Sequence, residues 1–249
     1  LSRLVVGRLF LVCATVIEMY NEDCFVFLER IQDNSINLIL IDPPYHVSRK
    51  SGFHSTKKNA LLFTRYKTDF GEWDKKENYL DYCLIELYRV LKKGGTIICF
   101  YDLWKISYLK KWMEQAGFRQ IRFIEYQKTN PVPVNSKLNY LTNSREIALT
   151  GVKGGNPVFN SEYDNGIYAF PINHEYDRFH STQKPIQLFK ELILKHSHSG
   201  HVVLDCFAGS FTTAVACIET NRKFIGCEVD QHYFEKSKKR MRYQQPVLF

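Results

Sequence analysis

The chain of 249 residues has no Cys-x-x-Cys pair among its seven cysteines, which removes the usual zinc framework. An odd number of cysteines scattered singly also argues against a disulfide scaffold and for a reducing compartment, the cytoplasm. Cys83, Cys99 and Cys217 fall inside apolar runs, where a free thiol behaves as a small hydrophobe. No apolar stretch is long enough to span a bilayer. Residues 9–16 are apolar behind Arg3 and Arg8, yet no small-residue cleavage site follows them cleanly, so a secretory leader is not indicated. Residues 1–18 are set apart as an N-terminal extension, because the stretch that opens at Met19 makes sense by itself. There is no internal repeat, no G-x-G-x-x-G fingerprint and no Gly-Lys-Ser/Thr phosphate loop, which excludes repeat architectures, an NAD site and a P-loop.

What is present begins with charge. The formal net charge is +8, and it is uneven: residues 46–76 hold eight Lys/Arg against three Asp/Glu. Lys236, Lys238, Lys239, Arg240 and Arg242 form a second basic cluster. Such patches suit a polyanion, most commonly nucleic acid, although a solvated basic face reads the same way. Arg49, Lys50, Lys57 and Lys58 are the residues of the first patch expected to meet DNA.

The stretch 38–45, Leu-Ile-Leu-Ile-Asp-Pro-Pro-Tyr, carries the clearest chemistry. Four branched apolar residues read as a strand covered on both faces. Proline cannot donate to a ladder and pushes the preceding residue into an extended conformation, so the strand stops with Asp42 at its carboxyl edge. Around it the pattern alternates between strands and helices. Strands are expected at 16–20, 96–100, 121–126, 202–205 and 224–227, and helices at 24–31, 78–93, 104–116, 185–196, 212–220 and 233–243. That alternation predicts a Rossmann-like α/β fold, a mostly parallel sheet with helices on both faces. Residues 130–179, rich in turn formers and aromatics, read as an irregular insertion with one strand at 146–150.

A second site follows the strand at 202–205: Asp205-Cys206-Phe207-Ala208-Gly209-Ser210 is an acid, a small-residue loop and a helix start. Glu228 closes the next strand, about 20 residues on, where nucleotide-binding α/β folds place the acid that receives ribose hydroxyls. An acid at the loop entrance suits a cationic cofactor better than a pyrophosphate, and S-adenosylmethionine fits. Both sites lie at carboxyl ends of predicted parallel strands, so adjacency of those strands would bring them together.

Asp42-Pro43-Pro44-Tyr45 matches the catalytic tetrapeptide of DNA amino-methyltransferases. With the cofactor loop C-terminal to it, the circularly permuted motif order resembles the β group of that family, from about Met19 to Met241. Asn21-Glu22-Asp23-Cys24, His180-Ser181-Thr182-Gln183-Lys184-Pro185 and Phe224-Ile225-Gly226-Cys227-Glu228 agree with it. The resemblance implies that Asp42 and the Pro43 carbonyl accept hydrogen bonds from an adenine amino group, that Pro44 completes the turn, and that Tyr45 stacks on the flipped base. It further implies S-adenosylmethionine contacts from Asp23, Cys24, Lys184, Asp205, Phe207, Gly209, Ser210 and Glu228. Lys184 is expected at the cofactor's methionine end. Aspartate in the first motif position favours adenine N6, with cytosine N4 as the alternative. No metal is implied. The domains expected are a catalytic half (19–129), a target-recognition insertion (130–179), a cofactor-binding half (180–243) and a tail (244–249).

One departure stands out. Relatives usually carry a second glycine where this chain has Phe211. If its ring faces the core as the next helix begins, it is harmless; otherwise it crowds the cofactor and leaves a weak or inactive DNA-binding relative. The tail Gln245-Pro246-Val247-Leu248-Phe249 is similar to short peptides that dock on bacterial sliding clamps, and a homodimer is a further expected assembly.

Overall fold

The computed structural model describes residues 16–44, 79–131, 141–172, 179–180 and 182–244. In chain order they form β1 (Ile17–Tyr20), α1 (Cys24–Glu29), β2 (Ile36–Ile41), α2 (Tyr79–Val90), β3 (Leu91–Tyr101), a 3-10 turn (Leu103–Lys105) and α3 (Ile106–Ala116). There follow β4 (Arg119–Lys128), β5 (Arg145–Val152), β6 (Ile167–Phe170), α4 (Ile186–His196), β7 (Val202–Asp205), α5 (Thr212–Glu219), β8 (Lys223–Cys227) and α6 (Gln231–Gln244). The strands make one sheet in the order β1-β8-β7-β2-β3-β5-β4-β6. Only β5 runs against its neighbours among the described strands.

The unbroken apolar run of β2 now has its reason. Leu38 and Leu40 join Ile98, Phe100 and Val203 in a core packed against α4 and α5. Ile39 and Ile41 face the other way, with Ile97, Cys99 and Leu204, against α1, α2 and α3. Every β2 residue from Leu38 to Ile41 is fully buried, so neither face tolerates a polar residue. From β7 the chain proceeds to β8 on one side, and from β2 to β3 on the other. The crevice between β7 and β2 is therefore the switch point of the sheet, where open α/β folds bind ligands.

Three differences from the sequence reading have physical causes. The helix expected to reach Lys93 stops at Val90, because the 34–35 turn takes its last carbonyls: Asn34 N–H donates to Arg89 (3.2 Å) and Ser35 N–H to Val90 (2.9 Å). Leu91 then pairs with Ile36 as strand. Helix α1 ends at Glu29, ahead of the expected Ile31, and the Arg89 guanidinium donates to the exposed carbonyls of Leu28 (2.7 Å) and Ile31 (2.8 Å). Finally, residues 130–179 are not wholly irregular. Besides the expected strand, which is β5 wedged between β3 and β4, they supply the edge strand β6. Among the described residues no helix is long and apolar enough to cross a membrane.

Phe211 resolves in favour of the core. It caps α5 in the left-handed conformation (φ 55°, ψ 34°), the region in which glycine carries no penalty. Its ring is fully buried, edge-on to Phe224 (5.9 Å) and Phe234 (6.0 Å). The crowding that would have made an inactive relative does not arise from this ring. Restoring glycine with Phe211→Gly would recover about 1–2 kcal/mol of backbone strain. It would forfeit about 3–5 kcal/mol of core packing. A net destabilisation of roughly 1–4 kcal/mol is expected, read as a lower urea midpoint at unchanged slope.

Candidate functional site

The carboxyl edges of β1, β8, β7 and β2 lie side by side and present Asp23, Glu228, the Asp205 loop and Asp42 in that order. Parallel pairing sets this alignment: Tyr20 pairs with Cys227, Asp205 with Gly226, and Leu38 with Val203. Gly226 is required here, since a Cβ at that position would stand 2.3 Å from the Asp205 carbonyl oxygen.

The loop after β7 is held from several sides. Asp205 accepts hydrogen bonds from Phe207 N–H (3.0 Å) and the Thr213 hydroxyl (2.5 Å), neither of them charged. Its burial pushes the carboxyl up to about 7 despite those bonds. Glu228 accepts from the Gly209 N–H (2.8 Å) and the Asp230 N–H (2.8 Å), and burial raises its carboxyl too. The Gly209 carbonyl accepts from Ser237 (3.2 Å) and the Ser210 carbonyl from Arg240 (3.2 Å). Arg240, expected in a basic surface patch, is thus buried against the loop. Ser210 is buried with its hydroxyl 3.0 Å from that of Thr212, and Phe207 is half-buried with its ring 6.0 Å from Tyr79. A buried carboxylate lacking a charged hydrogen-bond donor, beside a small-residue turn, fits a cationic ligand such as S-adenosylmethionine.

Asp23 and Cys24 serve the start of α1. The Asp23 side chain caps the helix by accepting from Phe25 N–H (2.8 Å). Cys24 is buried, its thiol 2.7 Å from the Tyr79 hydroxyl. Asn21 ties this turn to β8 by donating to the carbonyls of Glu228 (2.8 Å) and Val229 (3.1 Å).

On the β2 side, Pro43 is buried and Pro44 exposed. Asp42 accepts a hydrogen bond from the Lys184 ammonium, whose side chain is only 5% exposed. Lys184 also stands 3.0 Å from Glu146, which in turn pairs with Lys128 at 2.7 Å. Burial works against the Lys184 charge, but the two carboxylates outweigh it and raise its pKa. The same burial would raise Glu146, yet Lys184 and Lys128 bring it down to about 2. Lys184, expected at the cofactor's methionine end, hydrogen-bonds Asp42 at the carboxyl edge of β2. Glu146 and Lys128 escaped the sequence reading, where the signal was an acid opening the apolar strand 146–150 and a lysine closing another.

Tyr45, Arg49, Lys50, Lys57, Lys58 and Gln245–Phe249 lie outside the described residues. A surface depression lined by Tyr163, Asp164, Ile167 and Lys195 opens at the opposite edge of the sheet, where β6 begins. Its acid is already saturated by Lys195 (2.7 Å), Tyr168 (2.9 Å) and Gly166 N–H (2.7 Å).

A mostly parallel sheet with one reversed strand and an acidic crevice at its switch point defines the class: a methyltransferase that uses S-adenosylmethionine. Residues 36–239 match the DNA methylase family of N6 and N4 methyltransferases, and the chain belongs to it. It is similar to the Type II methyltransferase M2.MboI of Moraxella bovis, 30% identical over 92% of this chain and 89% of that one. M2.DpnII of Streptococcus pneumoniae is likewise 30% identical, over 90% and 88%. Among solved structures, the M1.HpyAVI–SAM complex superposes with a TM-score of 0.68 at 25% identity, covering 90% of this chain and 100% of the other. The cytosine-N4-specific PvuII DNA methyltransferase superposes at 0.71 over 94% and 89%, with 17% identity, a likeness of fold alone. The chain is an S-adenosylmethionine-dependent DNA methyltransferase.

Asp205 gives a pH test. Its folded pKa, about 7, exceeds the ordinary 3.8, so the folded state holds this proton more tightly. The contribution to stability is full below pH about 4 and is lost as pH rises through about 7. Asp205→Asn lacks that loss. Without cofactor, its stability relative to the parent should climb by roughly 2–4 kcal/mol between those limits, measured by denaturation across the pH series.

Proposed function

We propose that this enzyme methylates the exocyclic N6 of adenine within a specific DNA sequence, with Asp42 and the Pro43 carbonyl acting on the amino group. The observation that carries the reading is the Asp42 carboxylate at the switch point, one strand from the Asp205 loop and oriented by a buried ammonium. The amino nitrogen of adenine is a poor nucleophile, because its lone pair is delocalised into the ring. Two acceptors on its hydrogens draw it toward tetrahedral geometry and aim the lone pair outward. Tyr45 stacks on the base, which must leave the duplex to be reached. S-adenosylmethionine supplies the methyl group on a sulfonium. Asp205 favours the cofactor's positive charge, Glu228 receives the ribose hydroxyls, and the turns at 23–24 and 207–210 shape its bed. No nucleophilic cysteine is needed.

We assign the reading of the target sequence to segments that reach the catalytic edge. Strand β4 ends and β5 begins at the catalytic edge, so residues 129–144 start and finish there. Residues 153–166 connect the far ends of β5 and β6 and face away. Recognition is assigned to 129–144 and 171–180, within the expected 130–179 insertion. Arg49, Lys50, Lys57 and Lys58 supply phosphate contacts. Exposed Tyr82 and Ile85 on α2, with Leu103, Trp104 and Tyr108 beside them, are the surface for a second copy of the chain. The tail at 245–249 is the segment for a sliding clamp. The described cysteines are all free and buried, in keeping with the cytoplasm.

Asp42→Ala is expected to lower methyl transfer by about a hundred- to a thousandfold, with S-adenosylmethionine affinity by calorimetry within threefold of the parent. Nucleoside analysis of DNA labelled by the parent enzyme should yield N6-methyladenine. N4-methylcytosine would overturn the base assignment, and full activity in the variant would overturn the role of Asp42. Light scattering tests the second copy: Trp104→Lys with Tyr108→Lys should convert a dimer to a monomer.

A further inference from the structure

We propose that Glu146 and Lys128 are positioning residues for methyl transfer, holding the Lys184 ammonium so that it sets the rotation of the Asp42 carboxylate. The inference rests on Asp42 being the group that meets the target amino nitrogen.

The four charged residues occupy one level of one face of the sheet. Side chains two apart on a strand share a face. Asp42 follows Leu40, Phe100 follows Ile98, Glu146 precedes Ala148 and Lys128 follows Tyr126, and these apolar neighbours all belong to the core beneath α4 and α5. Because β5 is reversed, its start lies at the same edge as the ends of β2, β3 and β4. Phe100 pairs with Ala148, and Tyr126 with Glu146. Lys184 arrives from the turn before α4 and lies with its ammonium 5.3 Å from the centre of the Phe100 ring. It thus spans β3, with Asp42 on one side and Glu146 on the other.

This is more than neutralisation. An ammonium paired with one carboxylate would complete itself on Asp42 and compete with the substrate for that oxygen. A second carboxylate at 3.0 Å divides the ammonium's attraction, and Lys128 at 2.7 Å keeps that carboxylate in place. The contact between Lys184 and Glu146 is electrostatic and lacks hydrogen-bond alignment, whereas Asp42 receives a hydrogen bond. The set holds two acids and two bases and is neutral, so no charge in it is left without a partner of opposite sign. Gln183, next to Lys184 in the chain, is 5% exposed, and neither of its amide atoms has a hydrogen-bond partner among the described residues. Native proteins leave few buried amides in that state unless a ligand or water meets them.

The test uses the full chain. The double variant Glu146→Met/Lys128→Met removes the second partner of Lys184 without stranding a lysine, and Glu146→Gln keeps the side chain's shape. Both are assayed for kcat, KM for unmethylated DNA and Kd for S-adenosylmethionine, with the melting transition recorded. The expected result is a fall in kcat of about 10- to 100-fold, with Kd and KM within threefold. A parent-like kcat in either variant overturns the proposal. So does a loss that appears as weaker cofactor binding, because Lys184 would then serve the cofactor. Asp42→Ala is run alongside: if that variant is active, the reading of Asp42 has failed; if it is inactive while the double variant is fully active, only the positioning role has.

Discussion

The architecture depends on one contact between distant parts of the chain, the parallel pairing of β2 with β7. Leu38 lies against Val203 and Ile39 against Leu204, although about 160 residues separate them. The pairing is sustained by burial on both faces, since each strand feeds both cores. Once those strands are neighbours, Asp42 and Asp205 must emerge side by side at the same edge. The permuted order of the motifs is then of no structural consequence, because the sheet aligns strand ends irrespective of when they were made.

That edge concentrates uncommon electrostatics. Two carboxylates near the β7–β8 ends are raised by burial and meet no cation among the described residues, whereas the acids toward β2 and β5 are paired with Lys184, which is buried, and Lys128, which is partly buried. One half of the crevice is short of positive charge and the other is balanced. On the proposed reading, a cationic methyl donor would complete the first, and a neutral base would approach the second without stranding a charge. The division of labour between the halves is therefore written in where the lysines are and where they are absent.

Much of this was legible in the sequence. The apolar run 38–41 ended by Asp42-Pro43 read as a doubly covered strand, because both signals are local. The acid, small-residue loop and helix at 205–212 read as a ligand turn for the same reason. Other features depend on tertiary context. The end of α2 at Val90 is set by a turn at residues 34–35, remote in sequence, and β6, a run of only four residues in a turn-rich stretch, is fixed by its pairing with β4. The expected glycine at 211 is a requirement on φ, and Phe211 meets that requirement while burying its ring. Lys184, read as a cofactor contact, finds its partners on β2 and β5, and only the reversal of β5 brings Glu146 to that edge.

The same reversal has an evolutionary meaning. The end of β4 and the start of β5, which bracket residues 129–144, are joined by the ion pair between Lys128 and Glu146. Lengthening a closed loop costs little, about 0.6 kcal/mol for each doubling. The segment can therefore be exchanged for others of different size and sequence while the clamp remains. On the proposed reading, target choice would drift between these two residues while they stay bound to the chemistry, which would make them the natural seams for grafting one specificity onto another.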